Sequence, residues 1–439
     1  MKRSVFLAVL ALFFCISATN GRTEEAKKSL TKTADDFFRT FLTSDKDALL
    51  EFEPTEPIKT WIRRGGSEKA AKGFLRLCGE PKECLKTEIV NHERRPVVFL
   101  YYTADKKSFR ISVAFEEGKV AGIHYVPWTP ETDHLGAPVV LETPTGKIYG
   151  SLLLPDKKQF GERVPVVLFI AGSGPTDRNG NQPSGMMCNA FSMLAEALQK
   201  NGIASLRFDK RGIAASAAAG PKEEDLRFEH LVDDVSLWID FLDRRKKYSS
   251  IIVLGHSEGS LVGMLACEKN DANNGKVDAF ISVCGAGRTI DRLLFEQYGR
   301  QSKFLAEKLS PLLDELKKGN RIDDVPQEFF SLLRPSVQPY MISWLKHDPA
   351  AILRNMTVST LVIQGTTDIQ VTTEDAELLS QANPMAKTVI IEEMNHVLKN
   401  CKSTAQWVQM LTYANPTLPI DEELVQVILD FISELKSSR

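Results

Sequence analysis

The stretch IIVLGHSEGSLVGMLAC, residues 251 to 267, decides the fold. Its first three residues are β-branched and predict a buried strand, whereas the segment from Leu261 onward is rich in small residues and predicts a helix packed closely on a sheet. Between them stands GHSEG, residues 255–259. Side chains at both ends of so tight a turn would collide with the strand and the helix, so glycine there permits a strained residue in the middle. The pattern predicts that Ser257 is a nucleophile on a strand-turn-helix junction.

Two further side chains follow at the ends of later strands. A serine hydroxyl becomes a good nucleophile only when a base takes its proton, and the base needs a third group that holds its tautomer. TLVIQGTTDIQV places Asp368 just past a strand, and TVIIEEMNHVL places His396 just past the next one. Sites in open α/β sheets form at this edge. We therefore predict a triad of Ser257, Asp368 and His396; Glu374 and Asp375 compete for the role of the acid but lie farther from the strand end.

Residues 138 to 439 resemble the α/β-hydrolases, in particular the extracytoplasmic esterase and serine-aminopeptidase-like group. The resemblance rests on the loop AGSGPTDRNGN, the loop RFDKRGIAAS, the GHSEG turn and the order of nucleophile, acid and base. It implies an α/β-hydrolase fold, with a mostly parallel sheet, helices on both faces and a helical cap. In RFDKRGIAAS, Ala214 stands where the family usually has glycine. The first part of the chain is similar to a small domain that precedes such hydrolases in bacterial proteins.

The resemblance also implies an oxyanion hole. Acyl transfer places negative charge on a carbonyl oxygen, which two backbone N–H groups can stabilise. One donor is expected from Glu258, directly after the nucleophile. The other is expected from Ser173, in the glycine-rich loop after the strand VVLFIAG, with Gly174 as the near alternative. We interpret Asp209 and Arg211 of the RFDKRGIAAS loop as structural ion partners rather than catalysts.

The length of 439 residues predicts two domains. Residues 30–127 contain helical segments followed by strand-like runs and a hairpin at residues 117–118, which indicate a small α+β domain. Residues 128–137 are rich in proline and predict a linker. From 138 to 439 apolar strands alternate with helices, which indicates a largely parallel sheet covered on both faces. An insertion at 287–356 predicts a helical cap, whose aromatic residues are interpreted as its core or as an apolar pocket.

The N-terminus predicts export. The chain begins MKR, continues with an apolar run and reaches small, polar residues, which is typical of a secretory signal peptide over residues 1–21, cleaved after Ala18 or Gly21. We therefore expect a secreted or periplasmic protein without stable membrane insertion after cleavage. Lipid attachment at Cys15 is less favoured, because bulky Phe14 precedes it where a small residue is normal.

The remaining cysteines and the net charge limit which disulfides, cofactors and binding partners we expect. Oxidising surroundings permit disulfides, and CGEPKEC makes Cys78 and Cys84 the best candidates for one. Cys267 and Cys284 fall on a predicted core helix and strand, so we expect buried thiols there. No zinc-site spacing, nucleotide motif or flavin motif occurs, so we expect neither metal nor cofactor. A net charge of −2 and a pI of about 6.4 disfavour nucleic acid. The expected partners are a small-molecule ester and a second copy in a homodimer.

Two activities share the predicted triad. The first is hydrolysis of carboxylic esters through an acyl-enzyme, in a secreted serine hydrolase. The alternative is a serine peptidase of the aminopeptidase type, which also needs a carboxylate facing the substrate ammonium; Glu296 and Glu328 in the predicted cap are candidates. A non-enzymatic binder on the same fold is disfavoured by the complete triad, and dehalogenase chemistry by serine at position 257, where it needs aspartate.

Overall fold

The computed structural model describes residues 24–90, 96–128, 135–182, 186–271 and 275–437. The predicted signal peptide and the middle of the predicted linker lie outside these residues. The described residues fall into two compact units, 24–128 and 135–437.

The small unit has helices first and an antiparallel sheet afterwards. Its elements are α1 (Glu24–Thr43), α2 (Lys46–Leu50), α3 (Glu56–Arg63), α4 (Gly66–Cys78), β1 (Pro81–Val90), β2 (Val97–Ala104), β3 (Phe109–Glu116) and β4 (Lys119–Pro127). The strands pair in the order β1-β2-β3-β4. Glu117 and Gly118 turn the β3–β4 hairpin with φ of 50° and 82°, the left-handed values that such two-residue turns require. This unit is the expected α+β domain; α3 was not predicted.

Two cysteines of this unit correct a prediction. Cys78 and Cys84 are free thiols, so the expected bridge between them is not formed. Cys78 ends α4 and points into the aromatic core of the unit, whereas Cys84 lies on β1 and its thiol donates to the carbonyl of Lys86. Burial raises the pKa of both thiols. The sequence predicts a helix over AAKGFLRLCG, which includes Cys78, but it does not show that this helix turns Cys78 into the core.

The large unit is built on an eight-stranded sheet of order β12-β11-β10-β9-β7-β8-β6-β5. Its strands are β5 (Ala137–Thr143), β6 (Gly146–Leu153), β7 (Val164–Ile170), β8 (Ala204–Phe208), β9 (Tyr248–His256), β10 (Ala279–Val283), β11 (Ser359–Gly365) and β12 (Lys387–Ile391). β5, β6 and β8 pair antiparallel, and the remaining neighbours pair parallel. Every residue of β7 is buried, because its alternate side chains enter separate hydrophobic clusters. The sheet is therefore covered on both faces, and the predicted α/β-hydrolase fold is confirmed.

Helices cover the sheet and form an inserted region. The helices are α5 (Lys157–Phe160), α6 (Ala190–Lys200), α7 (Phe228–Arg244), α8 (Glu258–Asp271), α9 (Ile290–Gln301), α10 (Lys303–Lys317), α11 (Phe330–Leu333), α12 (Gln338–Trp344), α13 (Pro349–Asn355), α14 (Thr373–Ala382), α15 (Gln406–Tyr413) and α16 (Glu422–Ser437). α9 to α13 lie within the predicted cap. Four of its aromatic residues are buried in the core, whereas three are exposed: Phe295, Phe304 and Phe330. Within the described ranges, every helix is too short or too polar to cross a membrane.

Candidate active site

Ser257 occupies a strained turn between β9 and α8. Its φ is 55°, in the left-handed region that residues other than glycine rarely adopt. A Cβ on Gly255 would lie 2.2 Å from the carbonyl oxygen of Gly259, and a Cβ on Gly259 would lie 2.3 Å from that of Ile170. Only glycine fits at either end. The GHSEG sequence therefore forms the turn that was predicted from it, with Ser257 at its apex.

Asp368 and His396 meet at the same sheet edge. Asp368 follows β11 and His396 follows β12, and these strands are parallel neighbours. Nδ1 of His396 lies 2.7 Å from Oδ2 of Asp368. The other carboxylate oxygen of Asp368 accepts hydrogen bonds from the backbone N–H groups of Gln370 and Val371. The loop thus fixes Oδ1 of Asp368, and Oδ2 faces the imidazole.

Asp368 stays ionised although it is buried. Burial alone opposes the charge, but His396 and the two N–H donors of the loop stabilise the carboxylate more strongly, so the net effect lowers the pKa of Asp368. An ionised carboxylate at this distance fixes the proton of the imidazole on Nδ1. A histidine held by its Nδ1 in this way uses its other ring nitrogen when it accepts a proton.

His256 connects the serine turn to the histidine loop. Its Nε2 lies 2.8 Å from the backbone carbonyl oxygen of His396, and the two imidazole rings are 4.8 Å apart. Burial, followed by the neighbouring His396, lowers the pKa of His256 to about 3. The ring is therefore neutral, and its Nε2–H donates to the carbonyl. This contact ties the residue next to Ser257 to the loop of His396. Among the described residues no hydrogen bond joins the serine hydroxyl to the imidazole, a bond that often tightens only when substrate binds.

The predicted oxyanion loop runs directly against the nucleophile. A Cβ on Gly172 would lie 3.0 Å from the Cβ of Ser257, so a side chain at this position would crowd the serine. The next residue, Ser173, has its carbonyl held by Thr176 Oγ1 and Gln182 Nε2, both at 2.9 Å. These bonds fix the peptide unit between Ser173 and Gly174, whose N–H belongs to Gly174, the alternative donor.

Glu258 stands at the other side of the nucleophile. It is the first residue of α8, so its N–H has no acceptor within the helix. The positive end of the helix dipole lies at the same place. The sequence predicts this N–H group and that of Ser173 as the two donors of an oxyanion hole.

Other charged residues singled out in the sequence are structural. Asp209 pairs with Arg178 at 2.6 Å, and Arg211 pairs with Asp234 at 2.5 Å; all four lie in buried or nearly buried positions. Asp375 binds Arg288 at 2.7 Å and caps α14, so its carboxylate oxygens are engaged by these groups. These contacts leave Asp368 as the carboxylate that reaches the histidine.

Four side chains near the site were not predicted. Gln364 Nε2 donates to Oδ2 of Asp368 at 3.0 Å, and the Cys284 thiol donates to the same carboxylate. Lys210 and Tyr340 both bind the carboxylate of Glu258. A polar residue within an otherwise apolar strand was the one signal that marked Gln364, whereas the contacts of Lys210 and Tyr340 depend on tertiary packing.

One group of side chains has the composition of a metal site. Ligand atoms of His256, Cys284 and His396 lie within 4.8 Å of one another. Nε2 of His256 and Nδ1 of His396 already make hydrogen bonds to protein oxygens. Burial, then Asp368, raises the pKa of the Cys284 thiol far above its ordinary value, which opposes the thiolate that a metal needs. The donor chemistry of His256, Cys284 and His396 therefore fits a set of hydrogen-bonded side chains better than a metal centre.

The chain is similar to proteins described as serine aminopeptidases and esterases. Residues 184–389 match the family described as serine aminopeptidase, S33. Esterase EstD of Thermotoga maritima is 27% identical over 292 residues, which are 64% of this chain and 67% of that protein. Two solved esterases also align with this chain. Est1E from Butyrivibrio proteoclasticus is 15% identical with a TM-score of 0.43, and the alignment covers 68% of this chain and 100% of that one. The esterase Pf2001 of Pyrococcus furiosus is 15% identical with a TM-score of 0.45, and the alignment covers 70% of this chain and 94% of that one.

The sheet order and the strained serine turn are those of the α/β-hydrolase fold, and residues 184–389 match the serine aminopeptidase family. The chain resembles serine aminopeptidases and esterases of this fold, and a small α+β unit precedes the matched residues.

Proposed function

We propose that this enzyme is a secreted carboxylesterase that works through an acyl-enzyme on Ser257. The observation that carries the proposal is the 2.7 Å hydrogen bond between His396 and Asp368 at the sheet edge next to the strained serine. Because Asp368 is ionised and holds the Nδ1 proton, the second ring nitrogen of His396 is available to accept the serine proton.

The reaction proceeds in two halves. The Ser257 oxygen attacks the ester carbonyl while its proton moves to His396, and the carbonyl oxygen becomes an oxyanion that the N–H groups of Ser173 and Glu258 stabilise. The C–O bond to the alcohol then breaks, and His396 gives the proton to the departing alkoxide. In the second half His396 takes a proton from water, the hydroxide attacks the acyl carbon, and Ser257 leaves with that proton while the carboxylic acid is released.

Ester cleavage is favoured over the peptidase alternative by the charges of the cap. A peptidase acting at an amino terminus needs a carboxylate free to bind the substrate ammonium. Glu296 is paired with Arg288 and Arg300, and Glu328 is paired with Lys308. Both acidic residues that the sequence offered for this role are therefore neutralised by the protein's own cations. The name of the Thermotoga maritima relative, an esterase, supports the same choice.

The discriminating experiment is a hydrolysis panel. The enzyme is assayed on p-nitrophenyl esters of rising acyl length and on aminoacyl p-nitroanilides, with Ser257→Ala as the blank. We expect turnover of the esters, lost in the variant, and none of the anilides. Ser257-dependent turnover of the anilides at comparable kcat/KM would instead support the peptidase.

Export is part of the proposal. A secreted enzyme requires removal of the segment that precedes the small domain, and the sequence predicts cleavage after Ala18 or Gly21. Mass spectrometry of the N-terminal peptide, purified from a host with a secretion pathway, tests this. An intact Met1 on the exported fraction, or a lipid on Cys15, would contradict it.

A further inference from the structure

We propose that Lys210 is a positioning residue that orients both donors of the oxyanion hole; the proposal rests on the function proposed above. Lys210 lies in the loop after β8, directly between Asp209 and Arg211, and is 7% exposed. Its Nζ is 2.5 Å from the carbonyl oxygen of Gly172 and 3.4 Å from Oε2 of Glu258. One buried ammonium thus contacts the residues on both sides of the expected oxyanion position.

The contact with Gly172 fixes the first donor. The carbonyl of Gly172 and the N–H of Ser173 belong to one planar peptide unit, which is trans, as are all described peptide bonds of the chain. In a trans peptide the C=O and the N–H point in opposite directions. Binding the carbonyl to Lys210 therefore sets the direction of the Ser173 N–H. A cation on the carbonyl also polarises the peptide and strengthens its N–H as a donor.

The contact with Glu258 holds the second donor. The Glu258 carboxylate is buried, and its other oxygen, Oε1, accepts the hydroxyl of Tyr340 at 2.6 Å. Burial, then the neighbouring Glu258, raises the pKa of Tyr340 well above its ordinary value, so the phenol stays protonated and donates. Glu258 is clamped between a lysine of the sheet edge and a tyrosine of the cap, and its backbone N–H is the predicted oxyanion donor.

The buried charges explain why this position holds lysine. Burial lowers the pKa of Lys210 and Glu258 opposes that effect, so each ion offsets the desolvation of the other. An apolar residue at 210 would leave the Glu258 carboxylate without its cation and the Gly172 carbonyl without its donor. Tyr340 also extends the network into α12, so packing of the cap can influence the geometry of the hole.

The test compares Lys210→Met, Lys210→Gln and Tyr340→Phe with Arg211→Met. Arg211 is the next residue, is equally buried and is paired with Asp234, but it contacts neither Gly172 nor Glu258. The first readout is kcat per competent serine, for which active sites are titrated to completion with a fluorophosphonate. The second readout is the affinity for phenylboronic acid, which forms a tetrahedral anion on the serine, relative to the affinity for a neutral alcohol product.

We expect Lys210→Met to lower kcat by about 10- to 100-fold, less than removal of a whole oxyanion donor. Binding of the boronic acid should weaken by a similar factor, with little change in KM or in alcohol affinity. Lys210→Gln, which keeps a donor without the charge, should restore part of kcat, and Tyr340→Phe should lower it by a smaller factor. Arg211→Met should lower thermal stability while kcat per site stays near that of the wild type.

Two results would overturn the inference. One is Lys210→Met with wild-type kcat per site; the other is a loss confined to KM or to stability, matching that of Arg211→Met. If Lys210→Met does not fold, the test rests on Lys210→Gln and Tyr340→Phe. Wild-type kcat and wild-type boronic acid affinity in both of these variants would refute the role of Lys210. Failure of the proposed function is separate, because it would appear as turnover retained in Ser257→Ala.

Discussion

Nδ1 of His396 lies 2.7 Å from Oδ2 of Asp368, and the two residues come from loops that follow neighbouring parallel strands. Both side chains are almost completely buried. Gln364 donates to the same carboxylate oxygen from within β11, so the acid is oriented before any substrate arrives. This pair determines which ring nitrogen of His396 carries a proton and so which one can act as a base.

Replacement of the acid should separate chemistry from folding. We expect Asp368→Asn to lower kcat by about 10⁴-fold, because the amide stabilises the wrong tautomer of His396 and cannot balance the imidazolium. Steady-state kinetics on a p-nitrophenyl ester measures this. The matched control is Asp375→Asn, which breaks the ion pair with Arg288 and should reduce stability while leaving kcat per folded molecule nearly unchanged. The reverse pattern would reassign the acid to Asp375.

His256 should make the fold sensitive to acid. Its folded pKa is about 3, whereas an unfolded histidine has a pKa of about 6.5. Between these values the unfolded state binds more protons, so the stabilisation is fully present above about pH 6.5 and is lost as the pH falls towards 3. The loss is at most about 1.4 kcal/mol per pH unit.

His256→Gln retains a donor for the carbonyl of His396 and removes this titration. Urea unfolding at pH 7, 5.5 and 4.5 compares the two proteins. We expect the free energy of unfolding of the wild type to fall more steeply with decreasing pH than that of the variant. Parallel pH profiles would show that His256 is not the buried, neutral group described above.

Gly172 provides a steric test of the oxyanion loop. An alanine Cβ at this position would lie 3.0 Å from the Cβ of Ser257 and 3.2 Å from the carbonyl oxygen of His256. The loop must shift to accept it, and misplacement of a catalytic donor by about 1 Å can cost about 10²-fold in rate. We expect Gly172→Ala to lower kcat at least tenfold. Gly299→Ala is the control, since its Cβ would meet only Ala306 at 3.8 Å within the cap; equal activity of both variants would contradict the assignment.

The small domain should be dispensable for chemistry. Every candidate catalytic group lies in residues 135–437, which form a compact unit of their own. A chain beginning at Leu135 should therefore hydrolyse p-nitrophenyl acetate with a kcat close to that of the full-length enzyme. Light scattering of both proteins tests whether residues 30–127 mediate the expected homodimer. A folded short chain without activity on this small ester would mean that the first domain supplies or orders part of the site.

How far the sequence anticipates this structure depends on how local each feature is. The serine turn was predictable, because a glycine at each end of a five-residue motif between a strand and a helix marks it locally, although a Cβ on Gly259 would collide with Ile170 on the neighbouring strand. The meeting of Asp368 and His396 was predictable from topology, since both follow parallel strands. The network of Lys210, Glu258 and Tyr340 was not, because it joins segments up to 130 residues apart whose proximity only the packed cap and sheet determine.

The prediction of a disulfide between Cys78 and Cys84 was wrong. A turn-like spacing suggested a bridge between Cys78 and Cys84, but the direction in which a helix presents its last residue depends on the core it covers. The burial of Cys267 and Cys284 was predicted correctly; Cys267 lies on the core-facing side of α8, and Cys284 directly follows the fully buried strand β10.

The central claim is that Ser257 is the residue that becomes acylated. The most direct measurement is mass spectrometry of proteolytic peptides after reaction with a fluorophosphonate, run in parallel on the wild type and on Ser257→Ala. The account predicts one modified residue, Ser257, with complete loss of both label and ester turnover in the variant, whose circular dichroism stays that of the wild type. Stoichiometric labelling of a different serine, or labelling and turnover that persist in Ser257→Ala, would contradict it.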